Sequence, residues 1–98
     1  MIRVVNAARG EVSATLAGTP VRLCLTLGAL VEIETALDVE DIEALSVRTA
    51  RLTAADLQNV LVALLRGGGA EDPERLAAQA DPQTAARAVA AAFKAAAQ

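Results

Sequence analysis

Two short segments of strict apolar and polar alternation, separated by a turn, set the first limit on the fold. In the first, Val12, Ala14 and Leu16 share one face while Ser13 and Thr15 take the other. After the Ala17-Gly18-Thr19-Pro20 break the pattern resumes, with Val21, Leu23 and Leu25 on the inner side and Arg22, Cys24 and Thr26 on the outer. Side chains alternate across a strand, so each segment reads as a half-buried strand and the pair as a β-hairpin over residues 11–26. Gly18 supplies the positive φ such turns require, and Pro20 at a strand start removes no essential ladder donor. A lone hairpin is marginal in water. Its apolar face must therefore be covered by the remainder of the chain, whose periodicity is helical.

Leu27, Leu30, Val31, Ile33 and Leu37 recur at intervals of three and four behind Thr26, a suitable N-cap. Asp38 is placed to cap a second helix carrying Val39, Ile42 and Leu45, which fades around Arg48 to Arg51. Thr53 with Asp56 three residues on forms a loose capping box in front of Leu57, Val60, Leu61, Leu64 and Leu65. The Gly67-Gly68-Gly69 run ends that helix, since glycine costs about 1 kcal/mol in a helix interior and is favoured just past its end. Asp72-Pro73 and Asp81-Pro82 each place an acidic cap before a proline suited to a first turn. The expectation is an α+β fold: an N-terminal two-stranded antiparallel hairpin packed on four to five helices, at about 27–37, 39–50, 54–66, 73–80 and 82–96. Residues 1–10 read as a flexible lead-in, and 11–98 as a single domain.

At 98 residues the chain can build one core. It is 54% hydrophobic, yet about a quarter is alanine, so leucine, valine and isoleucine must carry the packing. The last helix is an alanine cylinder whose bulky residues are Val89 and Phe93.

Composition also removes whole classes of chemistry. The sequence holds no histidine, tyrosine or tryptophan and one cysteine, so the usual general bases, nucleophile pairs and soft metal ligands are missing, and neither an enzyme nor a cofactor or metal site is expected. A net charge of −3 offers no basic stripe for phosphates, with Arg3 and Arg9 too sparse to make one, so nucleic acid is not an expected partner. No apolar run approaches the roughly 20 residues of a membrane span, and a lone cysteine suits a reducing compartment, so a cytoplasmic location is expected.

Carboxylates remain. Glu32, Glu34, Asp38, Glu40, Asp41 and Glu43 have no basic residue among them and read as a solvated acidic face or a docking surface for a basic segment. Glu34 projects between Leu30 and Leu37, inside the apolar stripe. A carboxylate there must find a partner, either Arg22, Arg48 or Arg51 or a group on another chain. Cys24 on the outer strand face, two residues from Arg22, is a weak candidate for a reactive thiol beside the reading as a bystander. The glycine run is not a phosphate cradle, because it ends a helix and no Lys-Ser/Thr pair comes after it. Leu27, Leu30, Glu34, Leu37, Leu65 and Phe93 are the candidate partner-binding residues.

The order of these features carries a resemblance. A hairpin containing Gly10-Glu11-Val12, a turn at Gly18, Thr26-Leu27-Gly28-Ala29-Leu30 leading into Ile33-Glu34-x-Ala36-Leu37, and a Leu/Val-rich helix ending in glycines resembles the small tail proteins of phage-like gene transfer agents. It covers about Gly10 to Gly69, and this chain has Leu27 where that family usually has an aromatic. The resemblance implies a tail assembly protein, a chaperone binding the tape measure protein until tube subunits replace it. Its alternatives are a structural subunit retained in the finished particle and a small helical adaptor unrelated to tails. It implies tape measure or other tail proteins as partners, with homo-oligomers possible.

Overall fold

The computed structural model describes residues 3–6 and 10–97. In chain order it contains β1 (Arg3–Asn6), β2 (Glu11–Leu16), β3 (Thr19–Cys24), α1 (Leu27–Leu37), α2 (Ile42–Arg48), α3 (Ala54–Gly67), α4 (Pro73–Gln79) and α5 (Pro82–Ala96). The hairpin and five helices stand in the predicted order, with the hairpin ending at Cys24 where 26 is expected and the second helix running over Ile42–Arg48 where 39–50 is expected.

The turn is tighter than the four-residue break suggests. Leu16 pairs with Thr19, leaving only Ala17 and Gly18 between the strands, and both have positive φ, 51° and 79°. Type I′ turns require that combination, and their twist matches the strands they join. Counting back from the turn, Thr15 faces Pro20 in a pair that exchanges no ladder hydrogen bonds. Pro20 therefore costs the ladder nothing.

The lead-in differs from expectation. Residues 3–6 form β1, antiparallel to β2, with Val4 opposite Val12 and an irregularity before Asn6, so the sheet has three strands in the order β1-β2-β3. A hairpin alone would leave β2 with one row of unpaired amides and carbonyls, and β1 pairs with the part of it from Glu11 to Ser13. The segment has no alternation of its own to reveal this. Met1, Ile2 and Ala7 to Arg9 lie outside the described residues.

One sheet face carries Val12, Ala14, Leu16, Val21 and Leu23, all buried, and it packs on α3 and α5. The stripe of α3 is buried over Val60, Leu61, Leu64 and Leu65. Each such side chain removed from water contributes about 2 kcal/mol. From α5 come Ala85, Ala88, Val89, Ala92 and Ala95, whose small side chains bring that helix close to all three strands. At Gly10 the helix is so near that a β-carbon would meet the backbone of Ala96 at 2.9 Å.

The helix ends obey local chemistry. Thr26 Oγ1 accepts from the Ala29 amide at 3.0 Å, and Thr53 and Asp56 complete the expected capping box. Asp81 accepts from the Thr84 amide, while Asp72 makes no cap bond and holds Arg75 at 2.7 Å. Asp38 does not cap the second helix. It ends α1 in the left-handed region at φ 55°, where aspartate is tolerated, with Val39 donating back to the Glu34 carbonyl. Asp41 is the N-cap of α2, its Oδ1 accepting from the Ala44 amide at 2.7 Å. After α3, Gly69 takes φ 89° and the Ala70 amide reaches back to the Leu65 carbonyl, the Schellman pattern.

Candidate functional site

Helix α2 is the most loosely held of the five, resting chiefly on α1. Its separation from α5 opens an apolar trough in two parts, with Phe93 and Thr49 between them. The first groove, about 380 Å³, is lined by Leu25, Leu30, Leu45, Phe93, Ala96 and Ala97 together with Thr49. The second, about 390 Å³, continues from the same two residues over Leu52, Leu57, Ala86, Val89 and Ala90. Alanines on the outward side of α5 leave the floor low, and the single aromatic of the chain stands in the middle.

The partner-binding candidates scatter over three environments. Leu30 and Phe93 line the first groove. Glu34, one helical turn from Leu30, is half-buried, and among the described residues it has no ion pair with Arg22, Arg48 or Arg51. Those arginines act elsewhere: Arg22 faces Glu11 at 3.7 Å, and Arg48 pairs with Asp56 while its other nitrogen donates to the Arg51 carbonyl at 2.8 Å. Leu37 and Leu65 are core residues, 5% and 0% exposed, and offer no partner surface. Leu27 is 78% exposed and Val31 55%, so the buried side of α1 is Ala29, Ile33 and Leu37. An apolar stripe broad enough to wrap half the helix left its phase open, and the seat of α1 on α3 decided it.

Leu25, Leu45 and Thr49 escaped the expectation. Leu25 continues the alternation and is expected on the inner strand face, but β3 ends at Cys24, and Leu45 and Thr49 lie four apart along α2 and its C-cap, facing a gap that no local pattern reveals. Cys24 likewise is 2% exposed, not on an open outer face. Glu11 directly opposite is buried too, so that corner of the sheet is covered, and a buried thiol is poorly placed to react.

Electrostatics around the trough are simple. Asp56 is held below the usual carboxylate range by its hydrogen bond from Arg48, burial opposing and the Thr53 cap assisting. Asp81 is lowered by the Thr84 amide first and the Thr84 hydroxyl next. Among the described residues no three His, Cys, Asp or Glu side chains group to hold a metal ion, and no helix is long and apolar enough to cross a membrane. Another cleft, between β3 and the start of α4, is flanked by Arg22 and Arg75, each facing a carboxylate.

No curated protein and no solved structure matches the chain. A family model described as phage tail tube protein, GTA-gp10, matches residues 9–98. That span takes in the hairpin, all five helices and the whole trough, so the chain belongs to this family of gene transfer agent and phage tail proteins.

Proposed function

We propose that this chain serves the building of a phage-like tail as an assembly chaperone, a non-catalytic protein that holds a helix of the tape measure protein in the first groove until tube subunits take its place. The observation behind this reading is the groove itself, an open apolar channel whose walls are Leu30 on α1, Leu45 on α2 and Phe93 on α5. An amphipathic helix lays its apolar face into such a channel through residues three and four apart. The channel is shallow and mostly aliphatic, which suits an occupant that must later leave, and several copies along one long helical protein add avidity. The work belongs in the cytoplasm, where tape measure and tube proteins are made.

Co-expression with a tape measure segment tests this directly. The wild-type chain should move the segment into the soluble fraction, and Leu30→Glu, which puts a charge in the groove, should abolish the effect. An unchanged soluble fraction at every ratio of the two proteins would sink the proposal.

The family description favours a second reading, a tube subunit that stays in the tail. Purified particles separate the two. A subunit is present at a copy number matching the tube, whereas a chaperone is missing.

A further inference from the structure

The second groove differs from the first in the charge around it. Of the described cations, Arg22 faces Glu11, Arg48 pairs with Asp56, Arg66 with Glu32 and Glu74, and Arg75 with Asp72. Arg51, Arg87 and Lys94, all exposed, hold no carboxylate at ion-pair distance, and Arg87 acts on Asp81 only as a weak, more distant charge. Each adjoins a residue of the second groove: Arg51 is next to Leu52, Arg87 next to Ala86, and Lys94 next to Phe93. Arg87 and Lys94, seven residues apart, share one flank of α5 beside Ala86 and Phe93, and on a chain with a net charge of −3 cations that flank an apolar channel favour an occupant both apolar and acidic.

The chain itself carries such a surface. On the outer side of α1, Leu27 and Val31 stand 78% and 55% exposed one turn apart. Glu34 lies two helical turns beyond Leu27 on the same side, and Asp38, the left-handed C-cap, follows at the end of the helix. Neither carboxylate has an ion pair among the described residues. From Glu34 to Asp38 the chain rises about 6 Å and from Arg87 to Lys94 about 10 Å, a difference that the long arginine and lysine side chains close, so the acidic end lies against the two cations while Leu27 and Val31 enter the channel. Ala29, Ile33 and Leu37 anchor the opposite side of α1 in the core, so the surface is presented rigid and loses little entropy on docking.

We propose that the second groove receives α1 of a second copy of this chain, Leu27 and Val31 entering over Leu52 and Leu57 with Glu34 and Asp38 set against Arg87 and Lys94. The contact joins two different surfaces. It either closes reciprocally in a dimer or repeats from copy to copy. This inference does not rest on the chaperone reading, because it uses the other groove and another occupant.

Sedimentation velocity on the full chain from micromolar to millimolar concentration tests it. The expected result is a mass rising above the 10.0 kDa monomer with concentration and falling back when salt shortens the reach of exposed charges. Leu27→Asp and the double variant Arg87→Glu/Lys94→Glu, all at exposed positions, should each weaken association at least tenfold with unchanged circular dichroism. Mixing the double variant with Glu34→Lys should restore association through exchanged charges. A monomer at every concentration, or a mass indifferent to both sets of substitutions, overturns the proposal and leaves the groove to a helix of another protein. Tape measure solubilisation by the same variants stays at the wild-type level whichever way the sedimentation falls, so the two proposals fail separately.

Discussion

Gly67 faces the carbonyl oxygen of Cys24 so closely that a β-carbon on it would overlap that oxygen, and Gly68 stands in the same relation to the carbonyl of Arg22. Both carbonyls belong to residues of β3 that exchange no bonds with β2, so they point to the outer edge of the sheet. The end of α3 seals that edge. Helix propensity alone favours alanine over glycine at Gly67 by about 1 kcal/mol, yet the contact requires the opposite. Gly67→Ala should destabilise the fold by about 3 kcal/mol, and Gly69→Ala, in open space but at φ 89°, by about 1 kcal/mol. Urea denaturation of the two variants checks the order, and an equal loss for both would contradict the close approach.

The I′ turn carries an avoidable strain. Ala17 sits at φ 51°, in the left-handed region where a β-carbon costs roughly 1 kcal/mol and where asparagine is tolerated. Ala17→Asn, which creates the preferred Asn-Gly pair, should stabilise the protein by about 0.5 to 1 kcal/mol. A thermal melt with a lower midpoint would show that the turn is of another type.

Exposure separates two kinds of leucine. Leu65→Ala, in the core, should cost about 2 to 5 kcal/mol. Leu27→Ala, on the open side of α1, should stay within about 0.5 kcal/mol of wild type, as substitutions of exposed side chains do. Comparable losses in chemical denaturation would mean that Leu27 packs inside.

Asp56 should contribute to acid sensitivity, alongside Asp81. Its folded pKa is lowered, chiefly by the Arg48 hydrogen bond, so its contribution to stability is complete above the unfolded carboxylate range and is lost as the pH falls through the folded value. Denaturation midpoints measured from about pH 6 downward should therefore decline below about pH 4, less steeply in Asp56→Asn. Identical slopes would remove Asp56 as a source. Thr53→Ala, which opens the other half of the same capping box, should cost about 1 kcal/mol at neutral pH.

Local rules were enough wherever a residue's role is settled by its near neighbours in the chain. Thr26, Thr53 and Asp81 cap as their spacing predicts, and Val12, Ala14 and Leu16 turn inward as alternation predicts. They failed where a distant contact chooses between equals. Asp38 and Asp41 are both competent caps, and only the left-handed end of α1 assigns the role to Asp41. The apolar residues of α1 permit two phases, and packing on α3 exposes Leu27. Gly67 reads correctly as the end of a helix, but for a reason that lies forty-three residues back, at Cys24. The trough was half visible, through Leu30 and Phe93, because the gap opposite them depends on how far α2 stands from α5.

The cover that α5 lays over the strands has a temporal side. Val12 and Leu16 emerge early from the ribosome, while Ala88, Ala92 and Ala95, which belong to the helix that closes over the sheet, come some eighty residues later. Until then the part of the hairpin's apolar face that α3 does not cover is open to water and to other nascent chains. Pairings this remote in sequence slow folding, because a large loop must close before the contact is gained. The protein therefore spends its first moments in the condition that it is proposed to relieve in another, a polypeptide with a greasy flank waiting for a helix to cover it.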